Sequence, residues 1–307
     1  MVSPGTMLIG HSGCRYVIER VLQKKENSPL GVYLANCGDE KFLLKDVADF
    51  NYLQEIYSKV SNCPHLRLPR DTIPSRSMYI YEFFTDDFLS LVSKVDLPPE
   101  TTKRILKDAL QGIAALHDQG IVHNDVKANN ILVNRKDDVI ECVQMADIED
   151  AAIVPPDSAI MGRQLGNWMW RSPEAHAEGP MHTPSDIFAF GIVCIYAVHK
   201  LIIFAIDESE LGEGEEILAH VLERQISYFA DEEGIQGFLE YIRGSPYAEI
   251  FRVIRDGFGK QNPRRPFALW EGVDPVFKDL VCQMTAFDPR KRITACKALA
   301  HPWFEGI

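Results

Sequence analysis

The sequence predicts an α+β protein, with strands gathered before residue 84 and helices after it. Three observations carry that expectation. Short runs between Arg15 and Phe84 alternate apolar and polar side chains, or set aromatic and aliphatic residues together, as strands do. From Pro98 to Gly120 apolar residues recur at three- and four-residue steps, the pattern of one helix face. Ile187 to Val198 is apolar on every side, but His199 and Lys200 end it too soon for a bilayer crossing. A helix of that kind lies in the middle of a large core.

With 307 residues the chain can form one large domain or two lobes. A formal charge of −12 argues against a nucleic-acid backbone or an anionic membrane as the main partner. The basic clusters Lys24-Lys25, Arg264-Arg265 and Arg290-Lys291-Arg292 are short and read as solvated or locally paired. Seven cysteines, an odd count without a C-x-x-C pair, predict a reducing compartment with no disulfide framework and no zinc site. Met1 to Tyr16 shows no basic region followed by an apolar run, so the expected location is intracellular, cytoplasmic or nuclear.

In chain order, Arg15–Leu22 predicts a strand, with Tyr16 and Ile18 on one side. A polar turn, Gln23–Pro29, leads to a second strand at Gly31–Ala35, and Lys41–Lys45 gives a third that ends on a lysine. Val47–Val60 has helical spacing, with Phe50, Leu53, Ile56 and Val60 on its apolar side. Ser77–Phe84 reads as a buried strand running into a connector, and Thr85-Asp86-Asp87 opens a short helix. The long helix follows, stopped by Gly120. Further on, Leu211–Tyr228 predicts a helix with an acidic start. Asp231–Asp274, with Pro263, Pro266 and Trp270, reads as an extended surface excursion, and Thr294 as the N-cap of a last helix.

Ile121–Val133 carries the densest chemistry. Asp125, Lys127 and Asn130 lie between two apolar runs that read as small strands pinning a loop, so their side chains can converge. A carboxylate to orient a hydroxyl, a cation for a moving phosphate and an amide oxygen for a metal suit phosphoryl transfer. The plainer reading is a polar turn between strands. The stretch resembles the protein-kinase catalytic loop H-R-D-L-x-x-x-N, with His123, Asp125 and Asn130 in register and Asn124 in place of the Arg.

Other stretches resemble the same family in the same order. Lys45 ends a strand, Glu55 sits on the helix before Cys63-Pro64-His65-Leu66, and Tyr81 to Phe84 form the connector. Asp147-Ile148-Glu149 resembles D-F-G, and Gly166 to Glu174 resembles G-T-x-x-Y-x-A-P-E. Asp186 to Gly191 resembles D-x-W-S-x-G, and Phe287 to Phe304 the closing pattern that contains Arg292. The resemblance implies a bilobal fold over about 15–304, with a β-rich N-lobe (1–84) of five strands and one main helix and a helical C-lobe (85–307).

It further implies ATP and Mg²⁺, with Mn²⁺ as the alternative metal, and a protein substrate. Lys45 would meet the phosphates and pair with Glu55; Asn130 and Asp147 would hold the metal; Asp125 and Lys127 would serve the acceptor hydroxyl and the moving phosphate. Val32, Leu43 and Leu132 would line the nucleotide slot, with Tyr81 as gatekeeper and the backbone of Glu82 and Phe84 at the adenine edge. Glu174 and Arg292 would make a buried ion pair.

The departures fall mostly on the nucleotide side. Lys25, Asn27 and Leu30 occupy the glycine positions of G-x-G-x-x-G-x-V, and Gly31 is one residue out of register. Leu43 replaces a small Ala, and Glu149 replaces a Gly that permits backbone angles Glu disfavours. Asn167 replaces a Thr, and its amide could still reach Asp125 and Lys127. Three functions compete. The first is a protein kinase acting on Ser or Thr, a preference Lys127 supports. The second is a pseudokinase that binds or scaffolds. The third, a small-molecule phosphotransferase, is opposed by the S-P-E segment and the Arg292 pattern.

Overall fold

The computed structural model describes residues 2–24, 30–136, 139–207, 209, 211, 212 and 214–307. It opens with a strand that the alternation pattern does not mark, Met7–Ile9 (β1), followed by Arg15–Lys24 (β2), Gly31–Cys37 (β3) and Glu40–Asp46 (β4). Phe50–Lys59 (α1) then leads to Asp71–Ile73 (β5) and Met78–Glu82 (β6). These strands make one antiparallel sheet of six in the order β1-β2-β3-β4-β6-β5, one more than expected. Tyr16, Ile18, Leu44 and Ile80 turn to one buried face, while Leu53, Ile56 and Tyr57 of α1 join the larger core. Asp49 caps α1 by accepting from the Tyr52 N–H at 3.0 Å.

The rest of the chain is mainly helical. Asp86–Asp87 (β7) precedes Phe88–Lys94 (α2) and the long Pro99–His117 (α3). Ile121–Val122 (β8), Ile131–Lys136 (β9), Val139–Met145 (β10) and Ala152–Ile153 (β11) form two small sheets, in the orders β10-β9-β7 and β11-β8. Pro173–His176 (α4) and Thr183–His199 (α5) follow, then Ile217–Phe229 (α6), Glu232–Tyr241 (α7), Ala248–Asp256 (α8), Pro275–Met284 (α9) and Ala295–Leu299 (α10). Helix α5 is the apolar run, buried at every position from Ser185 to Ala197. Among the described residues no helix is long and apolar enough to cross a membrane.

Two expectations are corrected here. The 231–274 stretch is not an extended excursion: α7 and α8 pack with α6 around Leu222, Ile226, Phe238, Phe251 and Phe287, a second apolar core. The prolines and Trp270 fall after α8, so composition near the end of the stretch misrepresented its start. Cys14 and Cys37 form a disulfide across a Cα separation of 6.7 Å. Their 23-residue spacing leaves no local signature; the pairing of β2 with β3 brings them together.

The ion pair between Glu174 and Arg292 is present and sealed. Arg292 donates to the two carboxylate oxygens at 2.6 and 3.2 Å, and the side chains are 0% and 1% exposed. Arg292 also donates to the carbonyls of Pro184 at 2.7 Å and Ala286 at 3.1 Å, and Ser185 Oγ donates to Glu174 at 2.8 Å. One contact set thus joins α4, the start of α5 and the C-terminal turn. Arg292→Ala strands a buried carboxylate, so stability should drop by about 3–5 kcal/mol, read as an earlier denaturant midpoint and a melting temperature several degrees lower. An unchanged midpoint would show that the pair carries no stability.

Candidate active site

The loop between β8 and β9 is held from below by Asp186, in the first turn of α5. Its carboxylate accepts the backbone N–H of His123 at 2.7 Å and of Asn124 at 3.0 Å, with His117 Nε2 at 2.9 Å. The buried His123 ring lies 2.9 Å from the Ala146 carbonyl through Nε2 and accepts the Asp125 N–H on Nδ1 at 3.2 Å. Because a carbonyl only accepts, Nε2 carries the proton. Asn124 adopts φ +67°, a conformation asparagine tolerates better than most residues. Its Nδ2 donates to the Asp150 carbonyl at 2.9 Å, tying the loop to the chain beyond Asp147.

Three predicted residues meet in this loop. Lys127 Nζ donates to Asp125 Oδ2 at 2.5 Å, and Asn130 Nδ2 donates to the Asp125 carbonyl at 2.8 Å and to Oδ2 at 3.2 Å. The other Asp125 oxygen accepts the Asn167 backbone N–H at 3.1 Å. That approach needs Gly166, at φ +77°, where a Cβ would lie 2.6 Å from the Asn124 carbonyl. The Asn167 side chain does not reach Asp125 or Lys127 as expected. It turns back to accept from the Met169 N–H at 3.0 Å, capping the turn that follows.

The expected partner of Lys45 is corrected. Glu55 lies on the outward face of α1 because Leu53, Ile56 and Tyr57 take the inward one. Its side chain is 57% exposed and its cation is Lys59, at 3.8 Å. Lys45 instead meets two carboxylates of the D-I-E stretch, bonding Asp147 and standing 3.0 Å from Glu149. Nor does Glu149 carry backbone strain. The positive φ, +64°, belongs to Asp147, and Glu149 sits in a 3₁₀ turn over Ile148–Asp150.

Glu149 ends a buried polar chain. The Tyr81 hydroxyl is 3.4 Å from Glu149 Oε1 and 2.7 Å from the Tyr57 hydroxyl. Burial pushes the Glu149 carboxyl up to about 7; Lys45 opposes the rise and Asp147 adds to it. Burial acts on Asp147 in the same sense, but Lys45 and its hydrogen bonds outweigh it and hold that carboxyl well below the usual range. Lys127 contributes to the same lowering, so the Asp125 cluster and the Asp147 cluster feel one another.

Two cavities flank the sheet's inner edge. One, of about 330 Å³, is lined by Leu30, Gly31, Val32, Lys45, Tyr52, Asp147 and Glu149 among others. Gly31 itself packs against Tyr33, which bonds Asp46 at 3.0 Å, and the Gly31 N–H donates to the same carboxylate at 3.0 Å. Lys25 and Asn27 lie outside the described residues. The second cavity, of about 240 Å³, is lined by Leu43, Arg67, Phe83, Phe84 and Leu132 with residues of β7 and α2. Here Arg67 Nη2 donates to the Glu82 carbonyl at 2.8 Å, while the Glu82 carboxylate pairs with Arg70 at 2.7 Å. The guanidinium sits 5.0 Å from the Tyr81 ring centre and 5.9 Å from that of Phe84.

A family model described as the protein kinase domain matches residues 40–304. This chain belongs to the protein kinase family. It is similar to cyclin-dependent kinase 4 of Xenopus laevis, 28% identical over 86% of this chain and 75% of that one. Mitogen-activated protein kinase 16 of Oryza sativa subsp. japonica is 26% identical over 97% of this chain, which spans only 55% of that relative's length. A human serine/threonine-protein kinase is 25% identical over 72% of this chain and 27% of its own length. The yeast RNA polymerase II CTD kinase complex CTDK-1 contains a chain with the same fold. Its TM-score is 0.73 at 17% identity, covering 94% of this chain and 97% of that one.

Within this kinase-family chain, sequence reasoning missed Arg67 and the partnership of Glu149. A cation between Leu66 and Leu68 is the signal that could have flagged Arg67, since a charge in an apolar run needs a partner. For Glu149 the signal was the doubled acid Glu149-Asp150 beside Asp147, of which Glu149 turns inward to Lys45 and Asp150 stays exposed.

A folded-state carboxyl raised to about 7 binds protons that the unfolded chain has already released. Its contribution to stability is therefore full below the ordinary glutamate range and is lost as pH rises through about 7. The groups facing it are Lys45, Asp147, Tyr57, Tyr81 and Arg67. Glu149→Gln should flatten the fall in denaturant midpoint between about pH 5 and about pH 8, whereas Glu55→Gln should change stability by less than about 0.5 kcal/mol. A slope that survives Glu149→Gln would place the titration elsewhere.

Proposed function

We propose that this chain is a protein kinase that moves the γ-phosphate of a nucleoside triphosphate, ATP in the family, to Ser or Thr hydroxyls of a protein. The convergence of Asp125, Lys127 and Asn130, with Asp125 also held by the Asn167 N–H, is the observation that supports this reading most. Asp125 accepts the hydroxyl proton, and Lys127 beside it faces the transferring phosphate. Lys45 meets the phosphates in the cavity it shares with Val32 and Asp147. Both Asn130 amide hydrogen bonds run through nitrogen, which leaves its oxygen and the Asp147 carboxylate as hard donors suited to Mg²⁺ or Mn²⁺. The metal, when bound, neutralises charge on the phosphates. The named human serine/threonine-protein kinase among the relatives supports the acceptor class.

A second reading, a pseudokinase, is favoured by one observation: Lys45 already has two carboxylates. Asp125→Asn separates the two. For a kinase it should lower transfer of radiolabelled γ-phosphate by about 10²–10⁴-fold while leaving nucleotide-induced thermal stabilisation in place. Equal turnover by the variant and the parent would end the enzymatic reading.

The segment after Asp150 is ordered by its own contacts. Arg171 donates to the carbonyls of Leu165 at 2.9 Å and Gly166 at 2.6 Å and to Gln164 at 3.1 Å. Asn124, where the family has an Arg, cannot form a forked pair with a phosphate; it bonds the Asp150 carbonyl instead. Ser158, the sole hydroxyl residue from Asp150 to Arg171, lies exposed on a turn closed to Pro155 at 3.0 Å. Phosphatase treatment and Ser158→Ala should both leave activity unchanged. A large loss in either would show that this segment is switched by phosphorylation.

A further inference from the structure

Lys45 is held by two carboxylates that differ in their surroundings. Asp147, which it bonds, is the more open, with 40% of its side chain exposed. Glu149, whose Oε2 stands 3.0 Å from Nζ, is 19% exposed and lies deeper. The support beyond Glu149 is continuous. Its Oε1 faces the Tyr81 hydroxyl at 3.4 Å, that hydroxyl meets Tyr57 of α1 at 2.7 Å, and both tyrosines are buried. All three charged groups, Lys45, Asp147 and Glu149, border the cavity at Val32.

When Asp147 gives its carboxylate to a divalent cation, the Lys45 ammonium shares that carboxylate with a second positive charge at close range. Like charges repel, and more strongly away from bulk water. The Lys45–Asp147 bond therefore weakens in the state in which Lys45 must point at the phosphates. Glu149 is then the remaining carboxylate within reach, and it lies on the more buried side. A lysine without that anchor swings on a flexible four-carbon stem and loses rotamer entropy when a phosphate fixes it. The acid of α1 cannot serve, because Glu55 is 57% exposed and pairs with Lys59. We infer that Glu149 is a positioning residue acting through Lys45: it keeps the ammonium aimed into the cleft while Asp147 serves the metal. This rests on reading the cleft as a nucleotide site.

Calorimetry with Mg²⁺–ATP and, separately, with adenosine tests this on the wild type, on Glu149→Ala, and on the same substitution in a Lys45→Met background. Glu149→Ala should weaken Mg²⁺–ATP binding about tenfold, a size of coupling found between groups in contact. Adenosine carries no phosphate for Lys45 to meet, so its affinity should not change; a loss for both ligands would show a merely structural role and overturn the inference. In the Lys45→Met background Glu149→Ala should have no further effect. An equal loss in both backgrounds, an unchanged or tighter affinity in Glu149→Ala, or the same loss from Glu55→Ala also overturns it and leaves the nucleotide site standing. Should Glu149→Ala not fold, Glu149→Gln, which keeps the shape and removes the charge, is read by the same criteria. A wild type that melts cooperatively yet binds neither ligand overturns both the inference and the nucleotide reading.

Discussion

A single buried carboxylate sets the register of the catalytic loop. Asp186 stands in the first turn of a helix that is buried from Ser185 to Ala197, so its position is set by the core rather than by the loop it serves. By accepting two consecutive backbone N–H groups, from His123 and Asn124, it places the next residue, Asp125, at a defined height above the helix. The positive φ of Asn124 is the local cost of that double grip. A single bond would leave the peptide free to rotate; two bonds and the His123 ring beneath do not. Everything that converges on Asp125 depends on this anchor, including the Asn167 N–H that arrives from a distant segment.

The upper side of the cleft is arranged by a different rule. One half-buried cation there serves two carboxylates, and those two acids lie two residues apart on the same turn. Burial raises the Glu149 carboxyl, with the Asp147 charge adding to it, while Lys45 and its hydrogen bonds overcome burial at Asp147 and lower that one. Since Glu149 supplies the pairing that Glu55 was expected to supply, the position of Lys45 does not depend on an acid from α1. That helix is joined to the site by neutral groups instead: the Tyr52 hydroxyl accepts the Ile153 N–H at 2.9 Å, and the Tyr57 hydroxyl meets Tyr81.

What was legible in the sequence follows from how local its causes are. Strands β2, β3, β4 and β6, the long helix α3 and the buried helix α5 are written in periodicity, and each is where its spacing places it, whereas the short β1 and β5 are not. Asp125, Lys127 and Asn130 lie within one short loop, so their meeting needs only that loop to be pinned at both ends. The Glu174–Arg292 pair spans the C-terminal half but was carried by the family resemblance. Glu55 failed because its assignment counted residues along a helix without asking which face the core claims. Ile56 and Tyr57 claim it, and residue 55 turns outward. Cys14 and Cys37, Arg67 with Glu82, and the second core around Phe238 and Phe251 failed for another reason. Each joins positions that only the assembled fold brings together.

The distribution of change across the cleft is itself informative. Below, the groups that would meet the acceptor and the moving phosphate are tied to α5 and to the segment at Gly166, so a change there would disturb the core. Above, the departures among the described residues are Leu30, Leu43 and Glu149, with Arg67 beside them. Leu30 and Glu149 line the cavity at Lys45, Leu43 and Arg67 line the second one, and Leu43 also packs against the main core. They also compensate one another: Arg67 and Lys45 bring positive charge into the region where Glu149 and Asp147 bring negative charge. Glu149 is paired with Lys45, and Arg67 takes a backbone carbonyl and two aromatic faces. The upper side is therefore a connected polar network that runs from Asp147 and Lys45 through Glu149 to Tyr81 and Tyr57.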